Sequence, residues 1–254
     1  MLVLRIGCVP FINALPLIEG LANEMVFDDP AILTRKMLHE ELDIALLPVV
    51  DLLRYPRFEP FTQLVISSLG EIKSIRLVSN VPILEVRSYR RDYQSRSSNS
   101  LVNILFQNYW KIPTIETADS ADATLYIGDR ALLTPRGSYD YDLGKIWSDW
   151  TGLPFVYATS LKRAGINVED WEEKLNAAYQ RGKAILPSIA RVAGSRLGIG
   201  ADLALDYFSR CVAYEATPQC DAGIQRFYQE VSTIETLPVS NGQWFFAAEA
   251  NVHR

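Results

Sequence analysis

Several residue types that carry common catalytic chemistries are scarce in this 254-residue sequence. Its two histidines, His39 and His253, are poorly placed for a nucleophile–base pair with serine or cysteine. No cluster of cysteine, histidine and carboxylate residues has the spacing of metal ligands. The glycine pattern of dinucleotide-binding folds and the P-loop pattern are both missing. These absences argue against a histidine-based hydrolase, a zinc enzyme and a nucleotide-dependent enzyme.

Cysteine, positive charge and long apolar runs are also in short supply. The three cysteines, Cys8, Cys211 and Cys220, are too scattered for a disulfide framework, and an odd number favours a reducing compartment. The net charge of −5 argues against a general binder of nucleic acid or anionic membranes. No apolar run reaches transmembrane length, and Arg5 interrupts the apolar N-terminal stretch, which is unlike a signal peptide. We therefore expect a cytoplasmic protein whose partners include neither nucleic acid nor a membrane.

Short apolar runs alternate with helical patterns along the chain. Residues 2–9 and 44–47 are nearly continuous apolar runs, typical of strands that are buried on both faces. A helix pattern lies between them and starts at Asp28-Asp29-Pro30. This alternation predicts an α/β fold with a parallel sheet covered by helices. Further strands are predicted at residues 64–68, 74–79, 86–89, 114–117, 123–127 and 155–159.

A cluster of polar side chains precedes a helix with an apolar face at residues 101–109. The cluster combines hydroxyl, guanidinium and amide donors. Its members are Ser95, Arg96, Ser97, Ser98 and Asn99. Serines directly before an apolar helical face are typical N-caps, and the unpaired N–H groups of a first helical turn attract anions. Ordinary capping of a solvated helix start is the alternative explanation.

Other polar or small residues lie where predicted strands end. Open α/β sheets bind their ligands at the carboxyl ends of strands. The residues concerned are Asn13, Ser67, Ser68, Gly70, Gly128 and Asp129. Each of them also has a plain explanation as a turn residue. Together with the serine cluster, they predict a site for a small carboxylate that lacks an obvious strong base.

Five motifs follow one another in a fixed order between about residues 4 and 160. They are Arg5-Ile6-Gly7 with Phe11-Ile12-Asn13 and Pro16-Leu17; Ser68-Leu69-Gly70-Glu71-Ile72-Lys73-Ser74-Ile75; Asp92-Tyr93-Gln94-Ser95-Arg96-Ser97-Ser98; Asp122-Ala123 with Ile127-Gly128-Asp129-Arg130-Ala131-Leu132; and Thr151-Gly152-Leu153-Pro154-Phe155-Val156. In this order they resemble the chorismate dehydratase family of the futalosine route to menaquinone. Two positions depart from the family pattern, since Phe11 stands in place of tyrosine and Ser97 in place of threonine.

The resemblance implies a fold like that of type II periplasmic binding proteins, with two α/β lobes and a ligand cleft between them. The first lobe is expected to contain residues 1–82 and 157–254, and the second residues 83–156. Pro-marked breaks at Val81-Pro82 and at residues 154–157 fit this division. The implied activity is the dehydration of chorismate to 3-(1-carboxyvinyloxy)benzoate, without a cofactor or a metal.

The resemblance also implies roles for the motif residues. Asn13 is expected to position the substrate, because an amide cannot act as an ordinary base. A carboxylate of the substrate then takes the proton, with Asp129 as the second candidate for the base. The residues expected to contact the substrate are Ser67, Ser68, Gly70, Ser95, Arg96, Ser97, Ser98, Asn99 and Gly128.

Two other functions on the same fold remain open. One is a solute-binding or sensor protein for a small carboxylate, which the lack of a signal-peptide pattern disfavours. The other is the sister enzyme that makes 1,4-dihydroxy-6-naphthoate, which the motif pattern disfavours.

Overall fold

Two β-sheets form the framework of the computed structural model, which describes residues 4–240 and 244–246. The strands of both sheets are short, and most of them coincide with apolar runs of the sequence. In chain order they are β1 (Ile6–Cys8), β2 (Met25–Phe27), β3 (Ile44–Pro48), β4 (Phe58–Ser68), β5 (Ile75–Ser79), β6 (Ser88–Arg90), β7 (Ile115–Glu116), β8 (Ala123–Ile127), β9 (Tyr139–Asp142), β10 (Phe155–Arg163) and β11 (Ala213–Glu215).

Helices pack against the strands of both sheets. In chain order they are α1 (Pro30–Leu38), α2 (Val49–Arg54), α3 (Ser97–Ile104), α4 (Gly128–Leu133), α5 (Leu143–Thr151), α6 (Glu169–Ala184), α7 (Leu186–Leu197), α8 (Ala201–Asp206) and α9 (Pro218–Val231). A 3₁₀ helix, Ile12–Leu17, follows β1. Two π-helical turns, Leu105–Tyr109 and Tyr207–Cys211, continue α3 and α8.

Each sheet mixes parallel and antiparallel pairs. The first has the order β11-β4-β10-β3-β1-β2, and the second has the order β7-β6-β8-β5-β9. Strand β1 pairs in parallel with β2 and β3, as predicted, whereas β10 runs antiparallel between β3 and β4. Strand β5 likewise runs antiparallel between β8 and β9. The parallel pairing does not extend to β5 and β10, because these strands arrive from the other sheet and no βαβ crossover sets their direction.

The chain passes between the sheets twice. It leaves the first sheet after β4, through residues 69–74, and returns to it at β10. The first lobe is accordingly the first sheet with its helices, and the second lobe is the second sheet with the helices between β5 and β10. The predicted division at residue 82 therefore places β5 in the wrong sheet, and the predicted return at residue 157 falls just inside β10. The break at Val81-Pro82 lies between β5 and the 3₁₀ helix Ile83–Glu85. A proline there ends a strand, which is a local event and does not require a change of sheet.

Local patterns predicted some strand bounds well and others poorly. Strand β8 coincides with the predicted residues 123–127, whereas β4 begins at Phe58, six residues before the predicted run. Pro60 and alternating exposure interrupt the apolar pattern in the first half of β4, where its pairing with β10 is irregular. The predicted first strand starts at residue 2, and residues 1–3 lie outside the described part of the chain.

Aromatic rings join the return crossing to the helices around it. The indole of Trp147 in α5 packs edge-on against Phe155 of β10, with ring centroids 5.2 Å apart. Phe227 of α9 contacts Phe155 at 4.9 Å and Trp147 at 6.2 Å. All three rings are buried, so burial of their area stabilises the segment between the lobes.

The buried carboxylate of Asp43 links the start of β1 to the end of β10. Asp43 accepts hydrogen bonds from the Arg5 backbone N–H at 2.9 Å and from Arg163 Nη2 at 2.7 Å. Burial alone raises the pKa of Asp43, but hydrogen bonds from Arg5 and Arg163 outweigh it and lower the pKa from 3.8 to about 2. The ionised form of Asp43 is therefore favoured by folding.

We expect Asp43→Asn to lower the free energy of unfolding at neutral pH by about 2 kcal/mol, since a lowered carboxyl pKa stabilises the fold above its unfolded value. That advantage of the wild type should shrink as the pH falls from about 4 towards about 2. Urea unfolding over a pH series measures both effects. The matched control is Asp149→Asn, which breaks only an exposed pair with Lys145. Equal stability of wild type and Asp43→Asn at pH 7 would contradict the assignment.

Candidate functional site

A cleft lies between the two sheets and has an empty volume of about 560 Å³, part of which is open to solvent. Its apolar wall includes Val9, Phe11, Ile66, Ile72 and Ile127. Its polar residues are Asn13, Ser74, Gln94, Ser95, Arg96, Ser97, Ser98 and Tyr157. An apolar wall with a few polar groups is typical of a small-molecule site. No carboxylate, imidazole or thiol is among the described residues that line this cleft.

The cleft brings together six of the residues predicted from the sequence. They are Asn13, Ser95, Arg96, Ser97, Ser98 and Gly128. The other predicted residues do not line it: Ser67, Ser68, Gly70, Asn99 and Asp129. Their contacts give each of these five a structural task, described below.

The start of α3 has the donors that the sequence predicts. The Ser95 hydroxyl accepts a hydrogen bond from the Ser98 backbone N–H at 3.1 Å, which caps the helix. Within the described residues, the first-turn N–H groups of Ser97 and Asn99 and the hydroxyl of Ser98 make no hydrogen bond. These donors, together with the positive end of the helix dipole, are suited to a carboxylate.

Ser97 plays a different part from the one predicted. Its hydroxyl donates to the Tyr157 carbonyl at 3.1 Å and accepts from the Val50 N–H at 3.2 Å. It thereby connects α3 of the second lobe to α2 and β10 of the first. Since its only O–H is already donated, this side chain is not a free donor for substrate.

Arg96 lines the cleft and at the same time forms an ion pair across the lobes. Its Nε donates to Asp51 Oδ1 at 2.7 Å, and its Nη2 donates to the Tyr55 hydroxyl at 3.3 Å. Asp51 is completely buried and also accepts from Thr34 at 2.6 Å. Burial raises the pKa of Asp51, while Arg96 and Thr34 act in the opposite direction. Arg96 therefore holds α3 against α2, which the sequence did not predict.

Asn99 shapes the loop before α3 and does not line the cleft. Its Nδ2 donates to the carbonyls of Asp92 and Ser95 at 2.8 and 2.7 Å, and its Oδ1 accepts from the Asp92 N–H at 3.1 Å. All of these partners belong to the loop, so its predicted contact with substrate through the amide is not supported.

The residues predicted at the end of β4 point away from the cleft or into the segment between the lobes. The Ser67 hydroxyl donates to the Ala213 carbonyl of β11 at 3.3 Å. The Ser68 hydroxyl shares a hydrogen bond with the Tyr157 hydroxyl at 2.9 Å. The Gly70 N–H donates to Ser148 Oγ at 2.8 Å. These three residues stabilise the segment that crosses between the sheets, because their polar groups form hydrogen bonds with neighbouring elements.

Gly128 allows a close approach of the two lobes. Its φ is +56°, and a Cβ built on it would come within 2.9 Å of the Phe11 ring. Its N–H donates to the Ser74 carbonyl at 2.8 Å. A larger residue would therefore be strained and would push Phe11 out of the cleft wall.

Asn13 lines the cleft and has an unused acceptor. Its Oδ1 is buried and has no hydrogen-bond partner among the described residues. A buried amide oxygen without a partner costs free energy unless a ligand or water pairs with it. This is the geometry expected of a residue that positions a substrate.

Asp129 lies beside the segment that carries Asn13. Its Oδ1 accepts from the Ile12 backbone N–H at 2.9 Å, and its Oδ2 is 3.6 Å from Arg196 Nη2. Burial raises the pKa of Asp129, while the Ile12 N–H and Arg196 partly offset that rise. The contacts give Asp129 a role in joining α4 to the first lobe. A role as base stays a prediction.

Sequence reasoning missed several residues of the site. Gln94 donates from Nε2 to Asp29 Oδ1 at 2.8 Å and so bridges the lobes. Its position in the polar stretch before α3 was a usable signal. Tyr157 comes from a distant part of the chain, and no local pattern indicated it.

The described residues offer no site for metal binding, and their cysteines are buried. Across residues 4–240 and 244–246, no group of three or more histidine, cysteine or acidic residues is placed to hold a metal ion. Cys8, Cys211 and Cys220 are buried and unpaired, and burial raises the pKa of the Cys8 thiol to about 12. No helix in this part of the chain is long and apolar enough to cross a membrane.

A comparison with known protein families shows which family this chain belongs to. A model described as menaquinone biosynthesis matches residues 4–233. The chain belongs to the menaquinone biosynthesis family. The match includes both sheets and every described residue that lines the cleft.

Solved structures with a similar fold cover nearly the whole chain of this family member. A structural genomics protein from Archaeoglobus fulgidus has a TM-score of 0.66 and 15% identity, with 91% of this chain and 97% of that chain covered. The aliphatic sulphonate binding protein SsuA from Escherichia coli has a TM-score of 0.57 and 16% identity, with 93% and 94% covered. A Candida albicans gene product described as having the generic periplasmic binding protein fold has a TM-score of 0.59 and 9% identity, with 92% and 91% covered. The predicted fold class is confirmed.

The adjacent serines of α3 should respond differently to truncation. We expect Ser97→Ala to lower the free energy of unfolding by about 1 to 3 kcal/mol, because it leaves the Val50 N–H without its acceptor. Ser98→Ala should change it by less than about 0.5 kcal/mol, because no hydrogen bond of its hydroxyl is lost. Urea unfolding of the two variants measures the difference. The reverse order of stabilities would show that the assignment of the two hydroxyls is wrong.

Proposed function

We propose that this chain is a cytoplasmic hydro-lyase that dehydrates chorismate to 3-(1-carboxyvinyloxy)benzoate, at the start of the futalosine route to menaquinone. The observation that carries the proposal is that Asn13, whose buried Oδ1 has no partner among the described residues, lines the same cleft as the free donors of α3. Membership in the menaquinone biosynthesis family and the five sequence motifs support the same reaction.

The donors at the start of α3 suit one carboxylate of this dianionic substrate. Among the described residues that line the cleft, the backbone N–H group of Ser97 and the Ser98 hydroxyl are the available donors. Hydrogen bonds to a charged acceptor are stronger than those between neutral groups. The apolar side chains of Phe11, Ile72 and Ile127 then pack against the ring.

The reaction removes one water from adjacent ring carbons. A proton leaves the carbon that bears the ether, and hydroxide leaves its neighbour, so that a third ring double bond forms and the ring becomes aromatic. No redox change is involved, and aromatisation makes the reaction strongly favourable. The task of the protein is to hold the substrate in the reactive geometry.

We do not assign the proton acceptor to a side chain that lines the cleft. The described residues of the cleft include no carboxylate or imidazole, and an asparagine amide is not basic enough near neutral pH. We therefore assign the base to a carboxylate of the substrate itself, with Asn13 holding the ring in place. Orientation of this kind contributes on the order of 7 to 11 kcal/mol to lowering a barrier.

A second candidate function is the binding of a small anion without turnover. The described residues that line the cleft include no side chain suited to act as a general base, which favours this function, and the similar structure SsuA is an aliphatic sulphonate binding protein. The sister reaction that makes 1,4-dihydroxy-6-naphthoate is a further outcome to be tested.

Incubation of the purified protein with chorismate tests the proposal. We expect an aromatic product that is lighter by one water, detected by chromatography with mass spectrometry. Asn13→Ala should lower kcat by on the order of 100-fold, since misplacement of the reacting group has about that effect. Ser98→Ala should instead weaken substrate binding by about 1 to 2 kcal/mol.

Asp129→Asn serves as the comparison variant. We expect a milder loss of kcat than in Asn13→Ala, because Asp129 touches Ile12 and Arg196 and not the cleft. If Asp129→Asn abolishes turnover while chorismate still binds, Asp129 is the base and the substrate-assisted step is wrong. Binding of chorismate by the wild type without any product would instead support the binding-protein alternative.

A further inference from the structure

A tight turn at residues 72–74 lies in the segment that leads from β4 into the second sheet. The Ser74 N–H donates to the Ile72 carbonyl at 2.7 Å, and Lys73 between them has a φ of +63°. A hydrogen bond between residues i and i+2 with a positive φ at the central residue is the rare, strained form of the γ-turn. The side chain of Lys73 adds to this strain, because only glycine adopts a positive φ without steric cost.

The two ends of this γ-turn belong to the wall of the cleft. Ile72 and Ser74 both line the cleft, and both side chains are buried. A change of φ at Lys73 would move one of them relative to the other. Strained backbone persists only where the surrounding structure holds it, and it is frequent at ligand sites.

The carboxylate of Asp142, at the end of β9, holds the turn by its backbone. Its Oδ2 accepts from the Lys73 N–H at 2.6 Å and from the Ile72 N–H at 3.2 Å. Its Oδ1 accepts from the Ile72 N–H at 3.1 Å and from the Lys145 N–H at 2.9 Å, which caps α5. Hydrogen bonds to an ionised acceptor are stronger than those between neutral groups. One oxygen therefore caps the helix, while the other accepts from both N–H groups of the turn.

The first lobe contacts the same turn through side chains. Lys73 Nζ donates to Asp206 of α8, and the Tyr207 hydroxyl donates to Ser74 Oγ at 2.9 Å. Flexible side chains tolerate several backbone conformations. The N–H groups that Asp142 binds change direction with φ and ψ, so Asp142 is the partner that selects the strained conformation.

We infer that Asp142 is a positioning residue: its carboxylate holds residues 72–74 in the strained γ-turn, and the turn fixes Ile72 and Ser74 in the wall of the cleft. The inference rests on the proposed function for its kinetic consequences. Its claim about the backbone applies to the free protein as well, because the hydrogen bonds are present without substrate.

Asp142→Ser is the direct test, with Asp149→Ser in the same helical region as the matched control. Serine keeps an oxygen that can cap α5, but it has no second oxygen for the Lys73 N–H. We expect Asp142→Ser to lower kcat on chorismate roughly tenfold, since the turn loses charged hydrogen bonds. Asp149 forms an exposed pair with Lys145, so its variant should keep the wild-type kcat. A normal kcat in Asp142→Ser, or an equal loss in both variants, would overturn the inference.

Two variants of Lys73 test the strain without any change at Asp142. Lys73→Gly and Lys73→Ala both remove the ion pair with Asp206, and they differ in the freedom of the backbone. We expect Lys73→Gly to unfold at a higher urea concentration than Lys73→Ala, because glycine adopts a positive φ readily. This order is the reverse of the usual one, in which glycine destabilises through the unfolded chain. The usual order would show that the turn is not strained and would reject the inference.

Combined variants show whether Asp142 acts through the backbone of Lys73. Asp142→Ser should lower kcat roughly tenfold in a Lys73→Ala background, but less than about threefold in a Lys73→Gly background, where a positive φ needs less support. A general loss of stability would not depend on the residue at this position. Equal losses in the two backgrounds would therefore count against a positioning role.

Hydrogen exchange gives a readout that does not need the proposed reaction. The amide protons of Ile72 and Lys73 should exchange on the order of tenfold faster in Asp142→Ser than in the wild type, because they lose their acceptor. The amides of β5 are the internal reference, and Asp149→Ser should leave all of these rates unchanged. Unaltered rates at Ile72 and Lys73, or an equal acceleration in β5, would contradict the inference.

The failure of the proposed function can be told apart from the failure of this inference. If the wild type neither binds nor converts chorismate, the proposed function has failed. The exchange rates and the order of the two Lys73 variants still decide whether Asp142 holds the turn.

Discussion

The ion pair between Asp51 and Arg96 is the interaction on which the geometry of the cleft depends. Asp51 is completely shielded from water, and such a carboxylate costs on the order of several kcal/mol unless it is paired and hydrogen bonded. Arg96 supplies the opposite charge from the second lobe, and Thr34 supplies a hydroxyl from the first. Because Asp51 needs both partners, the start of α3 is held against α2 at the wall of the cleft.

The segment at the start of α3 forms this interface and also offers donors to a ligand. Different residues of the segment carry out the two functions. Arg96 and Ser97 use their side chains between the lobes, and Asn99 folds the loop itself. The backbone N–H groups and Ser98 remain for an anion. Such a site can bind an anion although the net charge of the protein is −5. Salt screens the repulsion between the anion and surface charges beyond about 8 Å, whereas hydrogen bonds in a partly enclosed cleft are strengthened.

Local patterns were enough for most secondary structure and for half of the site. Strand β8 and the capped start of α3 lie where apolar runs and serines predicted them. The patterns failed where a partner strand decides the outcome. The first half of β4 pairs with β10 despite Pro60, and β5 joins the second sheet although it precedes the Pro-marked break. Strand direction and sheet membership depend on partners that are distant in the chain, which a local pattern does not contain.

The sequence by itself determined the alternation of strands and helices, the helix start with its donors, and the scarcity of basic catalytic side chains. Only the tertiary structure decided which donors stay free. Ser97 and Ser98 are identical neighbours, yet Ser97 is used by Val50 and Tyr157, which are 47 and 60 residues away along the chain. Tyr207 contacts Ser74 across 133 residues in the same way. The reason is that the partner of a buried polar group is set by whatever packs against it, and packing brings together residues that no local spacing connects.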